Sequence, residues 1–249
     1  MTSRKLAYLT QGKGSTTVVF IHGNLASSQW WNMVMKRLES ACQMIAVDLT
    51  GYGASQPGRE AVTLTDHAKD IQKTLDSMEL TSFILVGHSL GGAVAMKFAE
   101  LFPEKLLGLI LIDSVSLHGL DTMNYAALET VVSQEELLIA SLLHTLAVPV
   151  SPEIKELMTR ECLKAKAAFI PNTHALERAD FSQMAAAFAK PVLVIHGKLD
   201  NVIPYEAGQA LAKAFPSGEF ILFDAVGHNP PLEDPDLLTA QLVRFLAKV

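Results

Sequence analysis

The sequence has 249 residues, 26 acidic against 20 basic side chains, 18% charged residues and 49% hydrophobic ones. This composition excludes disordered and fibrous classes, and the length suits one α/β domain with a sizeable core, with room for an insertion. A net charge of −6 without any Lys/Arg block argues against nucleic acid as a partner, since neutralising a phosphate backbone takes a basic footprint.

The amino-terminal run MTSRKLAYLTQGKG starts positive, but Gly, Gln and Lys interrupt it before any apolar stretch of signal-peptide length. Residues 106–112 form the longest apolar run, interrupted by Gly108, and fall far short of a membrane span. A cytoplasmic protein is expected. Cys42 and Cys162 lie outside any CxxC or Cys/His cluster and are expected to be reduced, buried thiols.

In chain order, short β-branched apolar runs recur: TTVVFI (16–21), QMIAVD (43–48), SFILVG (82–87), LLGLILID (106–113), PVLVIHG (191–197) and EFILFD (219–224). Each predicts a buried strand. Helical spacing lies between them, as in Leu64, Ala68, Ile71, Leu75 and Met78, in Val94, Phe98 and Leu101, and in Leu237, Leu238, Leu242, Phe245 and Leu246. Alternating strands and helices predict an α/β fold, a mostly parallel twisted sheet flanked by helices.

From Ser116 to Ala179 the alternation stops and only helical patterns remain. Residues 1–115 and 180–249 are therefore expected to form the core, and 116–179 a helical cap insertion. Within it, Ser133 with Glu136 reads as a capping box, and Ser151-Pro152 as an N-cap with proline at the first helical position. Leu137, Leu138, Leu142 and Leu143 are placed to form a lid or to pack the insertion onto the sheet.

The chemistry concentrates at GHSLG (87–91), directly after a strand and directly before a helix, which is the context a nucleophile elbow requires. Gly87 and Gly91 leave room for neighbouring chain at a sharp turn, and Ser89 projects from the carboxyl end of the sheet. A serine hydroxyl needs a base within hydrogen-bond reach, itself oriented by a third group. Asp200 and His228 follow two later strands, and the order Ser, Asp, His is the productive one on such a sheet. Asp113 and Asp224 are rival acids, Asp113 the more serious because it too ends a strand.

Acyl transfer also needs an oxyanion hole. The backbone N–H of Asn24, after the strand ending in His22-Gly23, and that of Leu90 are expected to converge on one oxygen. His22 reads as a structural loop residue, and the Asn24 side chain as an additional substrate contact. Trp30 and Trp31 start a helix just beyond this loop; at least one is expected to pack in the core, and a partly exposed one near the cap would suit an apolar or aromatic acyl group. Trp30, Leu142 and Leu143 are the candidate substrate-binding residues.

With HGN (22–24), DLTGYGAS (48–55), GHSLGG (87–92), GKLDNVIP (197–204) and GHNPPLEDP (227–235) in order, the chain resembles the α/β-hydrolase superfamily over nearly its whole length, in its serine esterase and lactonase branch with a helical cap. The resemblance implies a Ser89/Asp200/His228 triad, oxyanion donors at Asn24 and Leu90, and a cap at 116–179. Thr50 stands where the family usually has proline, which is expected to loosen that loop. The antiparallel edge strands are expected to shrink to about KLAYLT. HGNLASSQWW is similar to the corresponding loop of haloalkane dehalogenases, but Ser89 excludes their carboxylate chemistry.

The expected reaction is hydrolysis of carboxylic esters of small to medium, largely apolar substrates through an acyl-enzyme, without metal or organic cofactor. Lactones and thioesters stay open as substrates. Two other classes stay open: carbon–carbon hydrolases, lyases and cofactor-free haloperoxidases on the same elbow, and a slow-turnover ligand-sensing protein that keeps the triad.

Overall fold

The computed structural model describes residues 4–55, 62–121, 123–177 and 179–249, so the first three residues of the amino-terminal run lie outside the described residues. Seven strands form one sheet: β1 (Tyr8–Gln11), β2 (Thr17–Ile21), β3 (Gln43–Val47), β4 (Phe83–His88), β5 (Leu106–Ile112), β6 (Val192–Gly197) and β7 (Gly218–Phe223). Their order is β1-β3-β2-β4-β5-β6-β7, with β1 antiparallel to β3 and every other pairing parallel. The six expected apolar runs are thus six strands, and the antiparallel edge is the short strand within KLAYLTQ.

The helices are α1 (Asn32–Leu38), α2 (Leu64–Asp76), α3 (Leu90–Leu101), α4 (Tyr125–Ser133), α5 (Glu135–Leu143), α6 (Pro152–Leu176), α7 (Ser182–Ala187), α8 (Tyr205–Ala214), α9 (Pro230–Glu233) and α10 (Pro235–Leu246). The central strands need helices on both sides because they are apolar on both faces. Val19, Ile21, Leu85, Leu109, Leu111 and Val194 face one core, where α2, α3 and α8 pack. The alternating residues Val18, Phe20, Ile84, Val86, Ile110 and Ile195 face the other, closed by α1 and α10. A period of two along each strand divides its side chains between the cores.

The order in which strands are added reverses at the centre of the sheet. From β2 the chain runs to α1 on one face, and from β4 to α3 on the other. A crevice opens at such a switch point, outside the carboxyl ends of β2 and β4. It lies between His22–Asn24 and Ser89.

Between β5 and β6 the chain adds α4 to α7 and, among the described residues, no strand of the sheet. Ser151 caps α6 with Pro152 at its first position, as the sequence suggests. The capping box at Ser133 and Glu136 does not form. Ser133 ends α4 and donates its hydroxyl back to the Thr130 carbonyl (2.8 Å), while extended Gln134 separates α4 from α5. Gln134 makes no side-chain cap to α5, while Asn124 caps the start of α4.

Thr50 does not loosen its loop. Buried at 2% exposure, its hydroxyl donates to Asp70 on α2 (2.7 Å), a tie that proline lacks the donor to make. Asp48 secures the same region by accepting from the backbone N–H groups of Ser28 (2.7 Å) and Ala54 (2.9 Å). Cys42 and Cys162 are free and buried, and burial pushes both thiols up to about 11.

The helix after the elbow sits against the sheet at backbone distance. A methyl group on Gly91 would lie 2.5 Å from the Ile21 carbonyl oxygen and 2.6 Å from that of His22. Gly91→Ala should therefore destabilise the fold by about 2 kcal/mol or more, because main chain must move. Urea denaturation checks this, and an unchanged midpoint would show that α3 has slack against β2.

Candidate active site

Ser89 follows β4 with φ 52° and ψ −118°, a conformation costing about 1–3 kcal/mol for a non-glycine residue. The surroundings hold it there. Its N–H donates to the Ile112 carbonyl on β5 (3.0 Å), its carbonyl accepts from Gly92 (2.9 Å), and α3 begins at the next residue. The Leu90 N–H thus belongs to the first turn of a helix, where no intrahelical acceptor exists and the dipole favours negative charge.

His22 is 1% exposed and its ring spans the facing loop. Nε2 accepts from the Leu49 N–H (3.0 Å), so Nδ1 carries the proton and donates to the Gly23 carbonyl (2.7 Å). Burial lowers its pKa, which keeps this tautomer neutral. The Asn24 side chain is already engaged: its oxygen accepts from Tyr52 OH (2.5 Å) and the Leu25 N–H (3.2 Å), and its amide reaches Phe169 O and Thr173 Oγ1 on α6 (3.4 Å each). These bonds tie the loop to α6, and Asn24 also lines the cavity over Ser89.

Three loops bring the expected triad residues together. His228 Nε2 lies 3.1 Å from Ser89 Oγ, and His228 Nδ1 lies 2.7 Å from Asp200 Oδ2. The Asp200 side chain is fully buried, and its other oxygen accepts from Val202 N–H (2.7 Å) and Ile203 N–H (3.0 Å). Burial raises the pKa of this carboxyl, but His196 and His228 outweigh it and hold Asp200 well below the usual carboxylate range.

Behind Asp200 lies a group of buried side chains that the sequence reading largely passed over. His196 Nε2 is 3.0 Å from Ile203 O, 3.2 Å from Asp200 Oδ2 and 3.6 Å from Asp113 Oδ1. Asp113, at φ 42°, accepts from the Gly197 N–H through Oδ1 (2.7 Å), while Oδ2 has no hydrogen-bond partner among the described residues. The rival acid therefore stands beside the His–Asp pair but does not bond His228. Burial pushes its pKa up to about 7, against the pull of His196 and His228. On β4, His88 donates from Nε2 to the His228 carbonyl (2.7 Å), and burial, aided by His228, lowers its pKa to about 3. Asp113, His88 and His228 hold donor atoms within 4.8 Å of one another, as do Asp113, His196 and Asp200, so these are the described groups spaced for a metal ion. Several of their donor atoms are already bonded to backbone groups, to Ser89 or to one another.

A cavity of about 270 Å³ opens over Ser89. Trp30, Leu138, Leu142, Phe169 and Val202 line it, and its walls include no Lys, Arg, Asp or Glu among the described residues. Trp30 is 2% exposed and lines the cavity. Trp31 lies in the core, its ring 4.8 Å from that of Phe20. Leu142 lines the cavity, but Leu143 is absent from its walls and packs against the core, since adjacent helical residues point about 100° apart.

The model of the alpha/beta hydrolase family matches residues 18–241. The chain belongs to that family. It is 26% identical over 251 residues to the pimeloyl-[acyl-carrier protein] methyl ester esterase of Hamiltonella defensa subsp. Acyrthosiphon pisum, covering 95% of each chain. A dihydrolipoyllysine-residue acetyltransferase component of the acetoin cleaving system from Pseudomonas putida is also 26% identical, but the match spans only 65% of that longer protein. Among solved structures, a thermophilic esterase from Thermogutta terrifontis superposes with a TM-score of 0.83 at 27% identity, over 98% of this chain and 93% of that one. Among the described residues no helix is long and apolar enough to cross a membrane.

The raised pKa of Asp113 has a stability consequence with a definite sign. The folded state retains this proton between the ordinary value of 3.8 and about 7, whereas the unfolded chain has lost it. Its contribution is therefore favourable at low pH and disappears as pH rises through that window. Relative to Asp113→Asn, which cannot ionise, the wild-type Tm should drop between about pH 4 and pH 8. A Tm difference that stays constant across the range would place an ionised Asp113 in the folded state throughout.

Proposed function

We propose that this α/β hydrolase cleaves carboxylic esters of small to medium, largely apolar substrates through an acyl-enzyme formed on Ser89. The observation that carries the reading is the continuous line of Ser89 Oγ, His228 and Asp200, with separations of 3.1 and 2.7 Å. His228 takes the Ser89 proton as the hydroxyl attacks the carbonyl carbon. Asp200 fixes the Nδ1–H tautomer and stabilises the imidazolium. The oxyanion forms beside the N–H groups of Leu90 and Asn24. The protonated His228 then delivers its proton to the leaving alkoxide, and water repeats the sequence to release the acid.

Residues 116–179 act in this reading as a cap that supplies the acyl-side wall, with Leu142 and Trp30 as substrate contacts. A cavity without charged walls favours neutral acyl groups, because an ion buried there would lose its hydration without gaining a partner. Its volume corresponds to about nine water-sized groups, so an acyl chain of about six to eight carbons fills it. The name of the Hamiltonella relative specifies a methyl ester of an acyl chain, and a small alcohol with a longer acyl group suits this cavity.

A series of p-nitrophenyl esters and lactones tests the proposal together with a fluorophosphonate label. Label should appear on Ser89, KM should fall from acetate to hexanoate, and Ser89→Ala should lose essentially all turnover. Asp200→Asn should lower kcat about 10⁴-fold, as the equivalent change does in serine proteases. Full activity in Ser89→Ala would defeat the mechanism. If Asp113→Asn rather than Asp200→Asn silences the enzyme, the orienting acid is Asp113.

A further inference from the structure

The loop carrying His228 is bonded to the wall of the cavity through one carboxylate. Glu233, at the end of α9, accepts four backbone N–H groups from two segments, the adjoining loop at 227–229 and the distant connection at 147–148. Oε2 takes those of Gly227 (3.0 Å), Ala147 (2.8 Å) and Val148 (3.2 Å), and Oε1 takes that of Asn229 (2.9 Å). The residues on both sides of His228 are thus tied to the connection between α5 and α6. His228 itself joins that connection, its N–H donating to the Thr145 carbonyl (3.2 Å), and the Asn229 amide donates to Thr145 Oγ1 (2.7 Å). Thr145 in turn is bonded through its N–H (3.1 Å) and hydroxyl (2.7 Å) to the Leu142 carbonyl at the end of α5. Leu142 and Thr145 both line the cavity.

These bonds join the apolar wall to the backbone of the candidate base in one short path: Leu142, Thr145, His228, clamped by Glu233. The packing is close, for a methyl group on Gly227 would lie 2.8 Å from the Ala147 nitrogen. A carboxylate suits the position because it only accepts, and four converging N–H groups supply only donors.

We infer that Glu233 is a positioning residue that couples filling of the acyl cavity to placement of His228, so that contacts made by the acyl chain appear in turnover as well as in binding. The inference rests on the proposed ester hydrolysis at Ser89. A substrate that presses on Leu142 and Thr145 steadies the segment to which the base is bonded, and binding energy from a remote group is thereby used at the reacting centre. Glu233→Gln keeps the size of the side chain but replaces one acceptor oxygen with an NH₂ group that faces N–H donors.

The test compares kcat and KM on p-nitrophenyl acetate, butyrate and hexanoate for the wild type and Glu233→Gln, with Tm measured alongside. In the wild type kcat should rise along the series. In Glu233→Gln the rise should vanish, with kcat on hexanoate down about 100-fold, a smaller loss on acetate, and KM still falling with chain length. Glu233→Asp, which keeps both oxygens on a shorter arm, should fall between the two and serves as the probe if the Gln variant does not fold. A variant that preserves the wild-type kcat trend overturns the inference, as does an equal loss on every ester, which marks a structural role alone. A wild type that neither hydrolyses these esters nor takes the fluorophosphonate on Ser89 overturns the proposed function instead.

Discussion

Parallel strands that are apolar on both faces must be covered by helices on both sides, and that requirement sends every strand's carboxyl end to the same edge of the sheet. The rest of the molecule depends on this. Segments following β2, β4, β5, β6 and β7 deliver His22–Asn24, Ser89, Asp113, Asp200 and His228 to one edge, although their sequence separation spans most of the chain. None of these residues needs a local motif to find its neighbours. Burial of Val and Ile on the two faces sets the register, and the register sets the site.

At that edge, buried groups are held by donors and acceptors that leave little freedom. Ser89 stays at φ 52° because β5 and α3 satisfy its backbone on either side. Asp200 stays ionised because two N–H groups and two imidazoles face it, whereas burial drives Asp113, which among the described residues has a donor on one oxygen only, toward its neutral form. Two carboxyl groups in the same buried cluster thus shift in opposite directions, because donors offset burial at Asp200 and do not at Asp113.

The insertion between β5 and β6 is joined to both halves of the candidate site. Asn24 reaches α6 through Phe169 and Thr173, and the α5–α6 connection is bonded to the loop of His228. In the proposed hydrolysis, the apolar cavity beside this segment would enclose the carbonyl, and its walls carry no Lys, Arg, Asp or Glu among the described residues to compete for the developing oxyanion.

The sequence by itself determined the strands, the helix periodicity, the elbow at GHSLG and the order Ser89, Asp200, His228, because each is written in local hydrophobic period or in short contiguous motifs. It also showed where strand and helix cease to alternate. It misread Ser133, whose hydroxyl turns back into its own helix, and Thr50, whose partner Asp70 lies on another element. Only the tertiary structure set Asp200 rather than Asp113 against His228 Nδ1, separated Leu142 from Leu143, turned the Asn24 amide toward α6 and bonded Glu233 to the residues on both sides of His228. Those outcomes depend on which side chain or N–H group lies within about 3 Å of another across long stretches of chain, and a hydrogen bond of that range leaves no period or spacing in the sequence.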